Sequence, residues 1–118
     1  MDRVKLVGLD FGSTTSSALV ASARLGLNCA TGRMEFGCPE IVYRPEPVFT
    51  PFDGGRFRLD AVAELMDGWL REAAISRDEI FGGGAIVTGL AARQDNAREL
   101  AALIETTIGD AVVATADD

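Results

Sequence analysis

Val4-Lys5-Leu6-Val7-Gly8-Leu9-Asp10 is a short, mostly apolar run that stops at Phe11-Gly12-Ser13-Thr14-Thr15. A run of that length, closed by a Gly/Ser/Thr bend, suits a buried central strand. A second strand is predicted from about Ser16 to Arg24. It places Ala18, Val20 and Ser22 on one face and Leu19, Ala21 and Ala23 on the other. Strands joined by so short a bend pair as an antiparallel hairpin.

Beyond the hairpin the pattern loosens. Asn28 to Arg33 reads as a turn. Ile41-Val42-Tyr43 and Val48-Phe49 are strand-like, but Pro45, Pro47 and Pro51 interrupt them. Proline gives no N–H to a ladder, so this third strand belongs at an edge. Asp53-Gly54-Gly55 is a turn signal. Asp60 then opens a helix as its expected N-cap. Val62, Leu65, Met66, Trp69, Leu70 and Ala73 form its apolar stripe, with Trp69 in the core. Gly68 inside this stripe is expected to mark close packing against the sheet. Gly82-Gly83-Gly84 reads as a linker before a buried strand at Ala85-Ile86-Val87-Thr88-Gly89. Asn96 with Glu99 resembles a capping pair. Leu100, Leu103, Ile104 and Thr107 continue one helical face, and Gly109 ends it. Ala111 to Thr115 is a last buried strand.

Strands that follow helices run parallel by right-handed crossover. The expected fold is α/β: a ribonuclease-H-like mixed five-stranded sheet, order 3-2-1-4-5, with two helices. A helix that usually follows the last strand is missing. One sheet face is then expected to be partly bare and to favour self-association.

The 118 residues are enough for one domain. With 11 basic and 18 acidic residues the net charge is -7, which argues against nucleic acid or an anionic membrane as partner. The absence of histidine excludes His-based triads and His-containing zinc sites. Lys5 is the only lysine and precedes every glycine turn, so no Walker lysine exists. Cys29 and Cys38 fit no common metal spacing and are expected to be free thiols in a reducing cytoplasm. No signal peptide and no apolar run of about 18 residues is found.

The chemistry is expected at Asp10-Phe11-Gly12-Ser13-Thr14-Thr15. A tight bend can aim several backbone N–H groups one way, and such a nest binds phosphate oxygens without a lysine. Gly12 permits close approach, and Ser13, Thr14 and Thr15 add hydroxyls. Asp10 would repel a phosphate unless magnesium stands between them. The plainer alternative is an ordinary hairpin turn. Thr88 and Gly89 lie at the same sheet edge, where ligands of such sheets collect. Thr88 either lines the cleft or starts a helix turn.

Gly8-Leu9-Asp10-Phe11-Gly12-Ser13-Thr14-Thr15 resembles the first phosphate loop of the actin, sugar kinase and heat-shock chaperone ATPase superfamily. Within it, the chain is similar to the N-terminal end of the ethanolamine ammonia-lyase reactivating factors, the EutA family. Three further stretches carry that likeness: Pro47-Val48-Phe49-Thr50-Pro51, Gly84-Ala85-Ile86-Val87-Thr88-Gly89 with Asn96-Ala97-Arg98, and Ile108 to Ala116. The resemblance implies an ATP- and magnesium-dependent, chaperone-like factor. Such a factor frees a cobalamin-dependent ammonia-lyase of damaged cofactor. Asp10 would sit near the magnesium, and Gly12, Ser13, Thr14 and Thr15 would hold the β- and γ-phosphates.

Family members are several times longer and add a second lobe with a second phosphate loop and an adenosine pocket. Residues 1–118 are therefore expected to be an N-terminal actin-like ATPase subdomain, a fragment of a two-lobed protein. Alone it is expected to bind Mg-ATP or Mg-ADP weakly or not at all and not to turn ATP over, because phosphoryl transfer needs the closed cleft. Other readings are weighed beside this one. A metal-dependent nuclease would use Asp10 and Glu64, but the fourth strand ends at Thr88 instead of an acid and the net charge repels a polyanion. An activator ATPase of 2-hydroxyacyl-CoA dehydratases has a similar loop, but Cys29 and Cys38 do not match its iron–sulfur arrangement. A non-enzymatic interaction subdomain is the third.

Overall fold

The computed structural model describes residues 3–28, 30, 32–89, 95–109 and 111–116. Cys29 lies outside them, and the thiol expectation with it. The elements are β1 (Arg3–Phe11), β2 (Thr15–Asn28), β3 (Arg33–Tyr43), β4 (Val48–Phe49), β5 (Phe52–Asp53), β6 (Arg56–Phe57), α1 (Leu59–Glu72), a 3-10 turn (Arg77–Glu79), β7 (Ile80–Thr88), α2 (Ala97–Ile108) and β8 (Ala111–Ala116). The main sheet runs β3-β2-β1-β7-β8, with β4 added on β2. β1, β2 and β3 are antiparallel, while β7 is parallel to both β1 and β8. A separate two-stranded ribbon, β5-β6, leads into α1.

Alternation along the strands gives the sheet two unlike faces. Val7, Leu9 and Phe11 of β1, Ala18 and Val20 of β2, and Ala85 and Val87 of β7 are buried on one face. Val62, Met66 and Trp69 of α1 and Leu100, Ile104 and Ile108 of α2 complete that core. Their spacing of three or four residues keeps each set on one side of its helix. The opposite face carries Gly8, Asp10, Leu19, Gly84, Ile86 and Val112, which line an open groove of about 580 Å³. Ile86 and Val112 are exposed there. Among the described residues no helix is long and apolar enough to cross a membrane.

Several expectations are corrected. The third strand includes the expected Ile41-Val42-Tyr43 but begins already at Arg33 and contains Pro39, while Val48–Phe49 forms the separate short strand β4. β3 tolerates the proline as an edge strand. α1 begins one residue before Asp60. Its N-cap is Arg58, which makes no side-chain cap. Asp60 lies in the first turn and accepts a hydrogen bond from the Ala61 N–H at 2.9 Å, where its charge also suits the helix dipole. Gly68 is not a packing glycine, since a Cβ there would meet nothing within 4 Å.

Gly82-Gly83-Gly84 is part of β7 and not a linker. The flanking strands on both sides supply the pairing that glycine's own propensity does not. A Cβ on Gly83 would stand 2.6 Å from the Val7 carbonyl oxygen and 3.1 Å from Ile108 Cδ1, so side chains are excluded. Asn96 does not use its side chain as a cap. It is buried and reaches across to β6: Oδ1 accepts from the Phe57 N–H at 2.7 Å and Nδ2 donates to the Phe57 carbonyl at 3.0 Å. This pair ties the entry of α1 to the start of α2.

Candidate functional site

β1 and β7 are parallel, so their C-terminal ends lie at one edge of the sheet. That edge holds the end of β1, the bend Gly12-Ser13-Thr14 and the end of β7 at Thr88-Gly89. Phe11 pairs with Ser16 across the hairpin, and the Gly12 N–H donates to the Thr15 carbonyl at 3.0 Å to close the bend. This corrects one expectation: the Gly12 amide is engaged inside the turn and does not face outward. Gly12 instead keeps the turn narrow, because a Cβ would come 3.1 Å from the Thr15 carbonyl oxygen and 3.7 Å from Thr88 Oγ1.

Ser13, Thr14 and Thr15 are exposed on the rim of the bend. Thr88 and Gly89 face them. Gly89 has φ +61°, and a Cβ there would run into the Ser13 hydroxyl. The positive φ favours glycine at this position, and a side chain there would have to displace the Ser13 hydroxyl. The fold therefore brings Gly12, Ser13, Thr88 and Gly89 into one constellation from segments more than seventy residues apart.

Asp10 is exposed and points onto the open face of the sheet, between Ser17 of β2 and Ile86 of β7 in register. It is not packed into hydrocarbon. Among the described residues, no three His, Cys, Asp or Glu side chains gather as a metal cage. One carboxylate suits magnesium held largely by water and phosphate oxygens, not an all-protein site.

Phe11 is a correction. It is wholly buried, with its ring centroid 6.4 Å from that of Trp69, and cannot touch a ligand. Its part is to anchor the base of the bend in the core.

Thr50 was not singled out by the sequence as a site residue, yet it bonds the bend directly. Its N–H donates to the Thr14 carbonyl at 2.9 Å. Its hydroxyl donates to the Gly12 carbonyl at 2.8 Å and lies 2.7 Å from the Ser16 hydroxyl. The adjoining β4 pairs with β2 at Thr15 and Ser16. A threonine between Phe49 and Pro51 carries no local signal for this role; only the hairpin's return brings it there.

The family model described as "Ethanolamine utilisation protein EutA" matches residues 2–118. The ethanolamine ammonia-lyase reactivase EutA of Salmonella typhimurium is 30% identical over 115 residues, covering 93% of this chain and 24% of that protein. The Escherichia coli protein of the same name gives the same figures. The chain thus spans about a quarter of the length of the curated relatives it matches. Among solved structures, the Aquifex aeolicus Ppx/GppA enzyme superposes with a TM-score of 0.55 at 15% identity, covering 98% of this chain and 36% of that one. An exopolyphosphatase from Cytophaga hutchinsonii gives 0.51 at 15% identity, with 96% and 34% covered. At that identity the likeness is one of fold. The match over nearly every residue, with the two EutA relatives, shows that the chain belongs to the EutA family.

Proposed function

We propose that this chain supplies the first phosphate loop of an actin-like, ATP-dependent reactivating factor for a cobalamin-dependent ethanolamine ammonia-lyase. The family membership and the names of its relatives support the partner. The fold shared with the Ppx/GppA enzymes supports the ATPase-type architecture. The observation that carries the site is the meeting of an exposed Asp10, the Gly12–Thr15 bend and Thr88-Gly89 at one sheet edge.

In this reading Gly12 keeps the bend narrow, and Ser13, Thr14 and Thr15 donate hydroxyl hydrogen bonds to the phosphate oxygens. Thr88 and Gly89 form the facing wall. Asp10 holds the hydrated magnesium, which when bound offsets the phosphate charge that the carboxylate would otherwise repel. The setting is cytoplasmic, and release of damaged cobalamin is the work of the whole factor.

Phosphoryl transfer depends on positioning and charge stabilisation from all sides. This chain therefore binds Mg-ATP weakly and does not hydrolyse it. Titration of the chain with Mg-ATP, followed through backbone amide shifts, is expected to move Gly12 to Thr15 and Thr88-Gly89. Asp10→Asn is expected to weaken Mg-ATP binding more than binding of ATP in chelator. Shifts confined to other regions, or none, would overturn the reading. Micromolar affinity would contradict the weak-binding part.

A further inference from the structure

We propose that Thr50 is a positioning residue for phosphate, because it sets which way the dipoles of the bend point. The proposal rests on the phosphate-loop reading above. No lysine lies in or near the bend and the chain's net charge is -7. Within the bend itself, attraction for an anion then comes from N–H and hydroxyl groups and from any bound cation, beside what Arg44 on the wall of the Asp10 groove adds. A carbonyl oxygen aimed outward would oppose it, since the oxygen is the negative end of the peptide dipole.

The structure turns three of the oxygens in the bend inward. The Gly12 carbonyl accepts from the Thr50 hydroxyl at 2.8 Å, and the Thr14 carbonyl accepts from the Thr50 N–H at 2.9 Å. The Thr15 carbonyl accepts from the Gly12 N–H at 3.0 Å. Of the four peptide oxygens from Gly12 to Thr15, Thr50 thus holds two.

Proton counting adds one member. A threonine hydroxyl has one proton, and here it goes to the Gly12 carbonyl, which can only accept. The Ser16 hydroxyl, 2.7 Å from Thr50 Oγ1, must therefore be the donor in that pair. Ser16, Thr50 and Gly12 form a directed chain, with both hydroxyl residues buried. Pro51 restricts Thr50 to extended backbone. The Pro51 carbonyl is in turn fixed by the Arg58 N–H at 2.9 Å, at the start of α1. Thr50 is thus held rigidly from both sides before any ligand arrives.

The test uses the 118-residue chain, Mg-ATP as probe, and two variants. Thr50→Val keeps the shape and removes the hydroxyl. Thr50→Ser keeps the hydroxyl and removes the methyl. Circular dichroism melts confirm that each is folded. Thr50→Val is expected to raise the Mg-ATP dissociation constant about tenfold, the scale of one hydrogen bond. Thr50→Ser is expected to restore it to within about twofold. Hydrogen exchange at Gly12 to Ser16 should accelerate in Thr50→Val and not in Thr50→Ser, while Leu100 and Ile104 are unchanged. If the native chain shifts at the bend with Mg-ATP and a folded Thr50→Val binds equally well, the role assigned to Thr50 is wrong. So it is if Thr50→Ser binds as poorly as Thr50→Val, which would make methyl packing the cause. If the native chain itself shows no shift at the bend, the phosphate-loop reading fails and this proposal falls with it.

Discussion

On the face covered by α1 and α2, β1 contributes Val7, Leu9 and Phe11; on the open face the same strand contributes Gly8 and Asp10. The neighbouring strands repeat the contrast. Ala85 and Val87 of β7 are buried, while Gly84 and Ile86 line the groove. Stability is thus concentrated on one side of the sheet. The end of β1 serves both sides: Phe11 locks it into the core, and Asp10, one residue earlier, is left to solvent. A binding edge needs that division, since a bend mounted on a packed strand holds its geometry while its rim stays accessible.

The largest test of this contrast pairs Trp69→Ala with Val112→Ser. Trp69 is 4% exposed and Val112 is 77% exposed. Trp69→Ala is expected to cost ~3–5 kcal/mol, as truncation of a buried aromatic does. Val112→Ser is expected to change stability by less than about 0.5 kcal/mol. Urea unfolding of both, with unchanged slopes, checks the pair. A cost above ~1 kcal/mol for Val112→Ser would show that the open face is covered in solution.

Two glycines sharpen the comparison at the next level. At Gly83 an added methyl would meet the Val7 carbonyl oxygen at 2.6 Å, and backbone cannot yield as a side-chain tip does. Gly83→Ala is expected to destabilise by about 1–3 kcal/mol. At Gly68 nothing lies within 4 Å of the same methyl. Gly68→Ala is expected to stabilise by up to ~1 kcal/mol through helix propensity alone. Equal effects at the two sites, read from thermal melts, would contradict the packing assigned to Gly83.

The same pair shows what the chain reveals by itself. Val62, Met66 and Trp69 were legible as one helix face because the burial pattern has the period of the helix. The bend was legible because Asp10 and Gly12 to Thr15 are contiguous. Gly82 to Gly84 was misread because a glycine strand is justified only by what approaches it, here the Val7 carbonyl and Ile108. Asn96 and Thr50 failed the same way. Asn96 looked like a local cap and bonds Phe57, 39 residues away. Thr50 reaches Gly12 from 38 residues away. Local periodicity fixes elements and their faces, whereas hydrogen bonds between distant segments leave no trace in spacing.

The smallest expected effect lies on the rim of the covered face, where β3 meets the C-terminal end of α1. The Tyr43 hydroxyl donates to Glu72 Oε2 at 2.6 Å. Partial burial, the hydrogen bond and the charge of Glu72 together push the phenol up to about 12 from 10.0. Below pH 10 the phenol is protonated in both folded and unfolded chains and adds no pH dependence. Between pH 10 and 12 the unfolded chain loses its proton while the folded chain keeps it, so stability falls as pH rises through this window. Tyr43 is the only tyrosine in the chain, so phenolate absorbance reads it alone. Glu72→Gln removes the charge but leaves the burial, so the midpoint is expected to drop only part of the way toward 10. A native midpoint near 10 would mean that β3 and α1 are not held together at this rim in solution, and that the covered face ends before Tyr43.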